Sequence, residues 1–229
     1  MRPRIVTWAV SVLCVGSAIS ACGGSSDNGV ASKSPDAIVT AAMGAIDGAK
    51  SVHVAGSVVS GGSPITLDLD LLSGKGGRGE MSQSGLSFQL VEVGQAVYIN
   101  GSPGFWRRYG GAAAAQLFQG KWLKAPAGSG NFASLSSLTN LHRLLTALLS
   151  SHGKLAKGAT TTVNGQKVVA VNDSAKGGTL YVATTGKPYP VEILKTGPQG
   201  GHLVFDRFNE SVSLTAPANS IDISQLQSK

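Results

Sequence analysis

The residue types that most often do chemistry are present in this sequence, but their spacing does not form a catalytic or metal-binding motif. None of the four histidines pairs with another at metal-ligand spacing on one helix, and no HExxH motif occurs. Asp68 and Asp70 could act as paired carboxylates, but the leucines that alternate with them indicate the solvated face of a β-strand. No serine lies in a GxSxG motif, and the glycines of 74–79 lack the phosphate-loop pattern. We therefore expect no catalysis, no metal and no cofactor.

Cys22 has the sequence context of a modified residue. Two arginines precede an apolar run, Ile5 to Ile19, that is shorter than the ~20 residues of a membrane span and is typical of a secretory signal. The run ends in Ile19-Ser20-Ala21-Cys22-Gly23, which resembles the lipobox of bacterial lipoproteins, where the thiol is acylated before cleavage. Residues 1–21 are thus predicted to be a lipoprotein signal peptide and Cys22 the lipidated residue, the alternative being an ordinary signal peptide with a nearby cysteine.

Composition restricts the function of the remaining chain. The second cysteine, Cys14, lies in the predicted signal, so residues 22–229 have no pair of thiols for a disulfide. The formal net charge of the whole sequence is +7, but its basic residues are scattered, which argues against a nucleic-acid partner. A single domain of this length must rely on its hydrophobic core.

The pattern of apolar residues predicts the order of the elements. Residues 22–34 are predicted to be the lipidated cysteine and a flexible tether, because glycines and serines follow Cys22; Ser34 then caps a helix that opens the domain 35–229. About five strands with two-residue alternation follow, then helices that include one over residues 135–149, then about six strands ending with Ser211 to Leu214. This order predicts an α+β fold with a single curled antiparallel sheet of about eleven strands and helices covering its concave face.

Several short segments also occur in an order that is seen in a known group of proteins. They are Ser34-Pro35-Asp36-Ala37-Ile38, Ala49 to Gly56, Gly120-Lys121-Trp122-Leu123, Gly178 to Val182 and Pro188-Tyr189-Pro190. In this the chain resembles actinobacterial envelope lipoproteins of the LppX/LprG type. The resemblance implies a half-barrel similar to that of the LolA and LolB carriers, with helices closing a hydrophobic cavity that binds or carries envelope lipids or glycolipids. It implies a protein anchored on the extracytoplasmic face of the cell membrane, with a membrane transporter as a further candidate partner.

Two sets of apolar residues are candidates for such a site. The first is predicted to line the cavity, although a packed core needs the same residue types: Leu67, Leu69, Leu71, Phe88, Leu135, Leu138, Leu141, Leu145 and Leu148. The second is predicted to form a lid or a membrane-facing surface beside Arg107-Arg108, although it could equally pack under a loop: Phe105, Trp106, Tyr109 and Trp122. The alternative function is a cavity-free envelope sensor or scaffold that acts by protein–protein contact.

Overall fold

The computed structural model describes residues 26–129, 132–149 and 152–225, which form four α-helices and one twelve-stranded sheet. The helices are α1 (Pro35–Asp47), α2 (Pro103–Phe118), α3 (Phe132–Thr139) and α4 (Leu141–Leu149). The strands are β1 (Ser51–Ser60), β2 (Ser63–Leu72), β3 (Gly76–Gln83), β4 (Leu86–Val93), β5 (Ala96–Gly101), β6 (Leu123–Pro126), β7 (Leu155–Val163), β8 (Gln166–Asp173), β9 (Gly178–Ala183), β10 (Pro190–Lys195), β11 (Gly201–Asp206) and β12 (Ile221–Asp222).

The sheet is built from two antiparallel meanders joined along the middle. Strands β1 to β6 form one meander and β7 to β11 the other, and the two join where β1 pairs with β11. The short β12 adds to β6 in parallel. The two edge strands, β12 and β7, do not pair with each other in the described residues, so the sheet is open. The predicted α+β fold with one open, curled sheet is confirmed.

The predicted strands differ from the observed ones near the end of the chain. The strand expected at Ser211 to Leu214 is wrong, because both edges of β11 are already occupied by β1 and β10. The chain instead crosses to the far edge and pairs with β6. Strand β6 itself was missed, since four residues are too few to show a two-residue alternation.

The helix boundaries follow from capping residues. Ser34 caps α1, and its Oγ accepts the backbone N–H of Ala37 at 3.4 Å, as the sequence predicts. The single helix expected over residues 135–149 is wrong, because Asn140 ends α3 and begins α4. Its Oδ1 accepts the backbone N–H of Arg143 at 2.9 Å, which is an N-cap contact that competes with continuation of the helix.

The helices pack on one face of the sheet. Val54, Leu69 and Phe205 are neighbours across β1, β2 and β11 and have 0% exposed surface. They form the main core with α1 and α4, whereas α2 covers a second cluster over β4 and β5 around Trp106. The opposite face of the sheet, called the open face below, carries the polar residues of the same strands, among them His53 and Asp68.

The segment before α1 differs from the predicted tether. Cys22, the rest of residues 22–25 and the signal peptide 1–21 lie outside the described residues. From Asp27 onward the chain lies on the domain: Asp27 forms an antiparallel bridge with Thr185, and Val30 is 1% exposed in the main core. The tether prediction is therefore wrong for residues 27–33. Asn28 forms hydrogen bonds with the sheet and Val30 is buried in the core, whereas the composition of the segment, with its glycines and serines, is typical of a flexible linker.

Candidate functional site

An apolar cavity of about 550 Å³ lies between the helices and the second meander. Its walls come from α1, α4 and the strands β1, β7, β8, β9, β10 and β11. The apolar residues that line it are Val39, Val58, Val59, Leu148, Leu149, Leu155, Val171, Leu180, Ile193 and Leu203. This volume falls within the ~300–1,000 Å³ range of small-molecule sites.

The cavity lies at one end of these strands. The paired registers place Leu155, Asp173, Gly178, Lys195, Gly201 and Val58 in one continuous row across the sheet. Gly201 keeps the backbones close there, since an added Cβ would lie 2.8 Å from the carbonyl oxygen of Ser57. We call this end of the sheet, where the cavity opens, the mouth end.

The mouth end has a polar rim. The exposed members of the lining are His152, Lys176, Lys195 and Gln199. Beside them the nearly buried carboxylate of Asp173 accepts backbone N–H groups from Gly153 at 2.9 Å, Ala175 at 3.0 Å and Lys176 at 3.1 Å. These bonds, led by the one from Gly153, lower the pKa of Asp173 below its ordinary value. An amphiphile could thus place its chain inside and its polar head at the rim.

Leu148 is the member of the predicted lining set that borders this cavity. Leu67, Leu69, Leu71, Leu141 and Leu145 are buried in the main core, and Phe88 and Leu138 pack against it. Leu135 packs in the second cluster, which Phe88 also contacts. Helices α2 and α3 contact strands of the first meander, whereas α1 contacts β7 and β8 of the second, and the cavity lies beside α1 and α4. The alternation of apolar residues in β8 to β11 was the available signal for the true lining, but a core strand shows the same alternation.

The predicted aromatic lid does not border the cavity. Phe105, Trp106, Tyr109 and Trp122 are all absent from its lining. Trp106 is 7% exposed and packs edge-on against Phe105, with ring centroids 5.0 Å apart, under α2 on the first meander. Trp122 lines a shallow depression on the open face, beside Asp68 and Arg78. The lid prediction is therefore wrong for this cavity, because Trp106 completes a separate core. Tyr109, 68% exposed, stays a candidate for a membrane-facing residue.

The charged residues of the open face pair with one another. His53 Nδ1 lies 2.6 Å from a carboxylate oxygen of Asp206, and its Nε2 lies 3.1 Å from one of Asp68. Asp70 pairs with Arg78 at 3.3 Å and with Arg207 at 3.2 Å. Asp68 thus contacts His53, and Asp70 forms ion pairs with two arginines, on the side of the sheet away from the cavity. Among the described residues no group of three or more candidate ligands is arranged to hold a metal ion.

The architecture is that of a half-barrel: an open antiparallel sheet with helices on one face and an apolar cavity between them. The same fold occurs in LprF from Mycobacterium bovis, with a TM-score of 0.56 and 16% identity, covering 86% of this chain and 100% of that one. The resemblance to the LppX/LprG type is thereby confirmed at the level of the fold. MucB in complex with MucA(peri) gives a TM-score of 0.36 and 16% identity over 80% of this chain and 59% of that one, a likeness too small to support an argument.

Matches at the level of sequence are absent: no protein-family model and no curated protein matches the chain. Within the residues that the structure covers, no helix is long and apolar enough to cross a membrane.

Proposed function

We propose that this protein is a lipoprotein, anchored on the extracytoplasmic face of the cell membrane through Cys22, that binds or carries an envelope lipid or glycolipid without catalysing a reaction. The observation that carries the proposal is the apolar cavity at the mouth end, with a polar rim formed by Asp173 and its neighbours. The half-barrel shared with LprF supports it. The lipobox-like sequence around Cys22 supports the anchor.

The volume of the cavity suits one acyl chain. Because a methylene group is close in size to a water molecule, whose share of liquid volume is ~30 Å³, about 550 Å³ holds roughly 18 such groups. At ~0.8 kcal/mol per methylene, burying half of such a chain contributes ~7 kcal/mol, which corresponds to a Kd of about 10 µM. A lipid with several chains would insert one of them or displace the helices from the leucines of the main core.

The competing function is a sensor or scaffold without a cavity, which would bind a protein partner through the open face. It requires an apolar patch there for a protein partner. The centre of that face instead carries His53, which contacts the carboxylate of Asp206, and the ion pair of Asp70 with Arg207. Charged groups that are already paired offer little apolar area for such a partner, and lipid binding is the better-supported function.

The test is lipid content and lipid binding of the mature chain, residues 22–229, purified without detergent. We expect mass spectrometry of an organic extract to find about one acyl lipid per protein, and the delipidated protein to bind a fluorescent fatty acid saturably with a Kd of about 10 µM or lower. Protein that is free of lipid and that shows no saturable binding would contradict the proposal.

A further inference from the structure

The rim of the cavity carries more positive than negative charge. Among the described residues that line the cavity, the acidic residue is Asp173 and the lysines are Lys176 and Lys195. Both lysines are exposed, whereas the carboxylate of Asp173 is nearly buried. Even without a contribution from His152, the rim therefore sets two ammonium groups against one carboxylate. The positions of these three groups decide which kind of polar head the rim can bind.

The carboxylate of Asp173 is occupied by partners of its own. Its Oδ2 accepts the backbone N–H of Gly153, and its Oδ1 accepts those of Ala175 and Lys176. The hydrogen bond from Gly153 is the largest cause of the lowered pKa of Asp173, and the positive charge of Lys176 also contributes. Asp173 and Lys176 thus offset each other, and the charge that remains at the rim is that of Lys195.

Lys195 lies at the mouth end of β10 with its side chain on the cavity face. Successive side chains of a strand alternate between its two faces, so Lys195 shares a face with Ile193, which also lines the cavity. Glu192, the acidic residue of this strand, lies on the other face, where its carboxylate is 3.2 Å from His202. Within the part of the chain that the structure describes, Lys195 forms no salt bridge.

The residues that flank Lys195 in the sheet are both glycines. Gly178 of β9 and Gly201 of β11 pair with it, so neither neighbouring strand places a side chain beside the ammonium group. A Cβ added at Gly178 would meet no atom within 4 Å, which shows that the space there is open. The next residue in the row is Asp173, roughly 10 Å from Lys195 at the usual strand spacing. This distance exceeds the screening length of ~8 Å at physiological ionic strength.

We propose that the rim selects lipids whose head group is an anion, a phosphate or a carboxylate, and that Lys195 binds this group. The acyl chain lies against Ile193 and Leu203 in the cavity, and the head lies two residues further along β10, ~7 Å away. Gln199, also at the rim, has an amide N–H that can donate a further hydrogen bond. This inference rests on the proposed lipid-binding function and narrows its ligand class, because an uncharged head leaves the ammonium group without a partner.

The experiment compares three ligands that share a twelve-carbon chain: dodecyl phosphate, dodecanoate and dodecanol. Each displaces the neutral fluorescent probe N-phenylnaphthylamine from the delipidated chain of residues 22–229, at neutral pH and below the micelle concentration of the ligand. The measured quantity is the Kd of the alcohol divided by the Kd of each anion, and comparing it between variants removes differences in ligand solubility. The variants are Lys195→Gln and Lys195→Glu. The control is Lys167→Gln, an exposed lysine at the end of β8 opposite Asp173.

We expect Lys195→Gln to lower the ratio about fivefold, which is the upper value for an exposed ion pair, and Lys195→Glu to lower it further. Lys167→Gln should leave the ratio within about twofold of wild type. A fall for dodecyl phosphate alone assigns the head group as a phosphate, and a fall for dodecanoate alone as a carboxylate. If Lys195→Gln leaves both ratios unchanged, or if Lys167→Gln lowers them as much, the inference is wrong while lipid binding stands. If wild type binds none of the three ligands saturably, the proposed function itself is wrong.

Discussion

Filling the cavity with a larger side chain should weaken lipid binding by more than about tenfold without unfolding the protein. Ile193 on β10 lines the cavity, whereas its neighbour Leu194 faces the open side of the same strand. Ile193→Trp adds about six non-hydrogen atoms to the side chain. If these atoms displace about three methylene groups of a bound acyl chain, at ~0.8 kcal/mol each, the binding free energy weakens by ~2.4 kcal/mol and the Kd rises about 50-fold. Leu194→Trp makes a similar change on the other face and should leave binding within about twofold of wild type.

The assay is titration of delipidated protein with a fluorescent fatty acid, together with urea unfolding of each variant. Overpacking at Ile193 should cost ~1–3 kcal/mol of unfolding free energy, so the unfolding curves give the folded fraction to which each Kd is referred. Equal affinities of Ile193→Trp and Leu194→Trp would refute the assignment of the cavity as the lipid site. A loss of affinity in both variants, at full folded fraction, would refute it as well.

Three further predictions concern the core, the rim and the anchor. Leu145→Ala, at a core position with 0% exposure, should lower the free energy of unfolding in urea by ~2–5 kcal/mol, whereas Leu117→Ala on the exposed face of α2 should change it by less than ~0.5 kcal/mol. Because the folded-state pKa of Asp173 is lowered, its stabilising contribution should be constant above about pH 5 and decline as the pH falls below about 4, so the stability difference between wild type and Asp173→Asn should shrink there. Cys22→Ala should remove salt-resistant membrane attachment in cell fractionation while lipid binding by the processed chain persists, and sedimentation of the processed variant with salt-washed membranes would contradict the anchor.

The sequence predicts the fold well where local chemistry decides the structure. Ser34 and Pro35 set the start of α1, and the Asn164-Gly165 pair forms the β7–β8 turn with both residues at positive φ, 49° and 76°. Each of these signals lies within a few residues of the element it specifies. The order of strands along the chain then fixes most of the sheet, since consecutive strands pair in both meanders.

The position of the cavity is less predictable, because a packed core and the wall of a cavity are formed by the same apolar side chains. Leu145 and Leu148 belong to one helix face, yet Leu145 has no exposed surface and Leu148 borders the cavity. The difference depends on the position of α4 relative to the second meander, which no local sequence pattern specifies. The packing of residues 27–33 on the domain is hard to predict for a similar reason: Asn28 donates to carbonyls more than 150 residues away in the sequence.

The pairing of β1 with β11 has a consequence for how the chain reaches this structure. His53 and Asp206 face each other across that pair and are 153 residues apart in sequence, and closing a loop of this length costs about 4.5 kcal/mol by the (3/2)RT ln n relation. Until β11 has joined the sheet, β1 has β2 as its neighbour on one side and an unpaired edge on the other. We therefore expect folding to be slow, with this edge of β1 open to pairing with another chain until β11 occupies it.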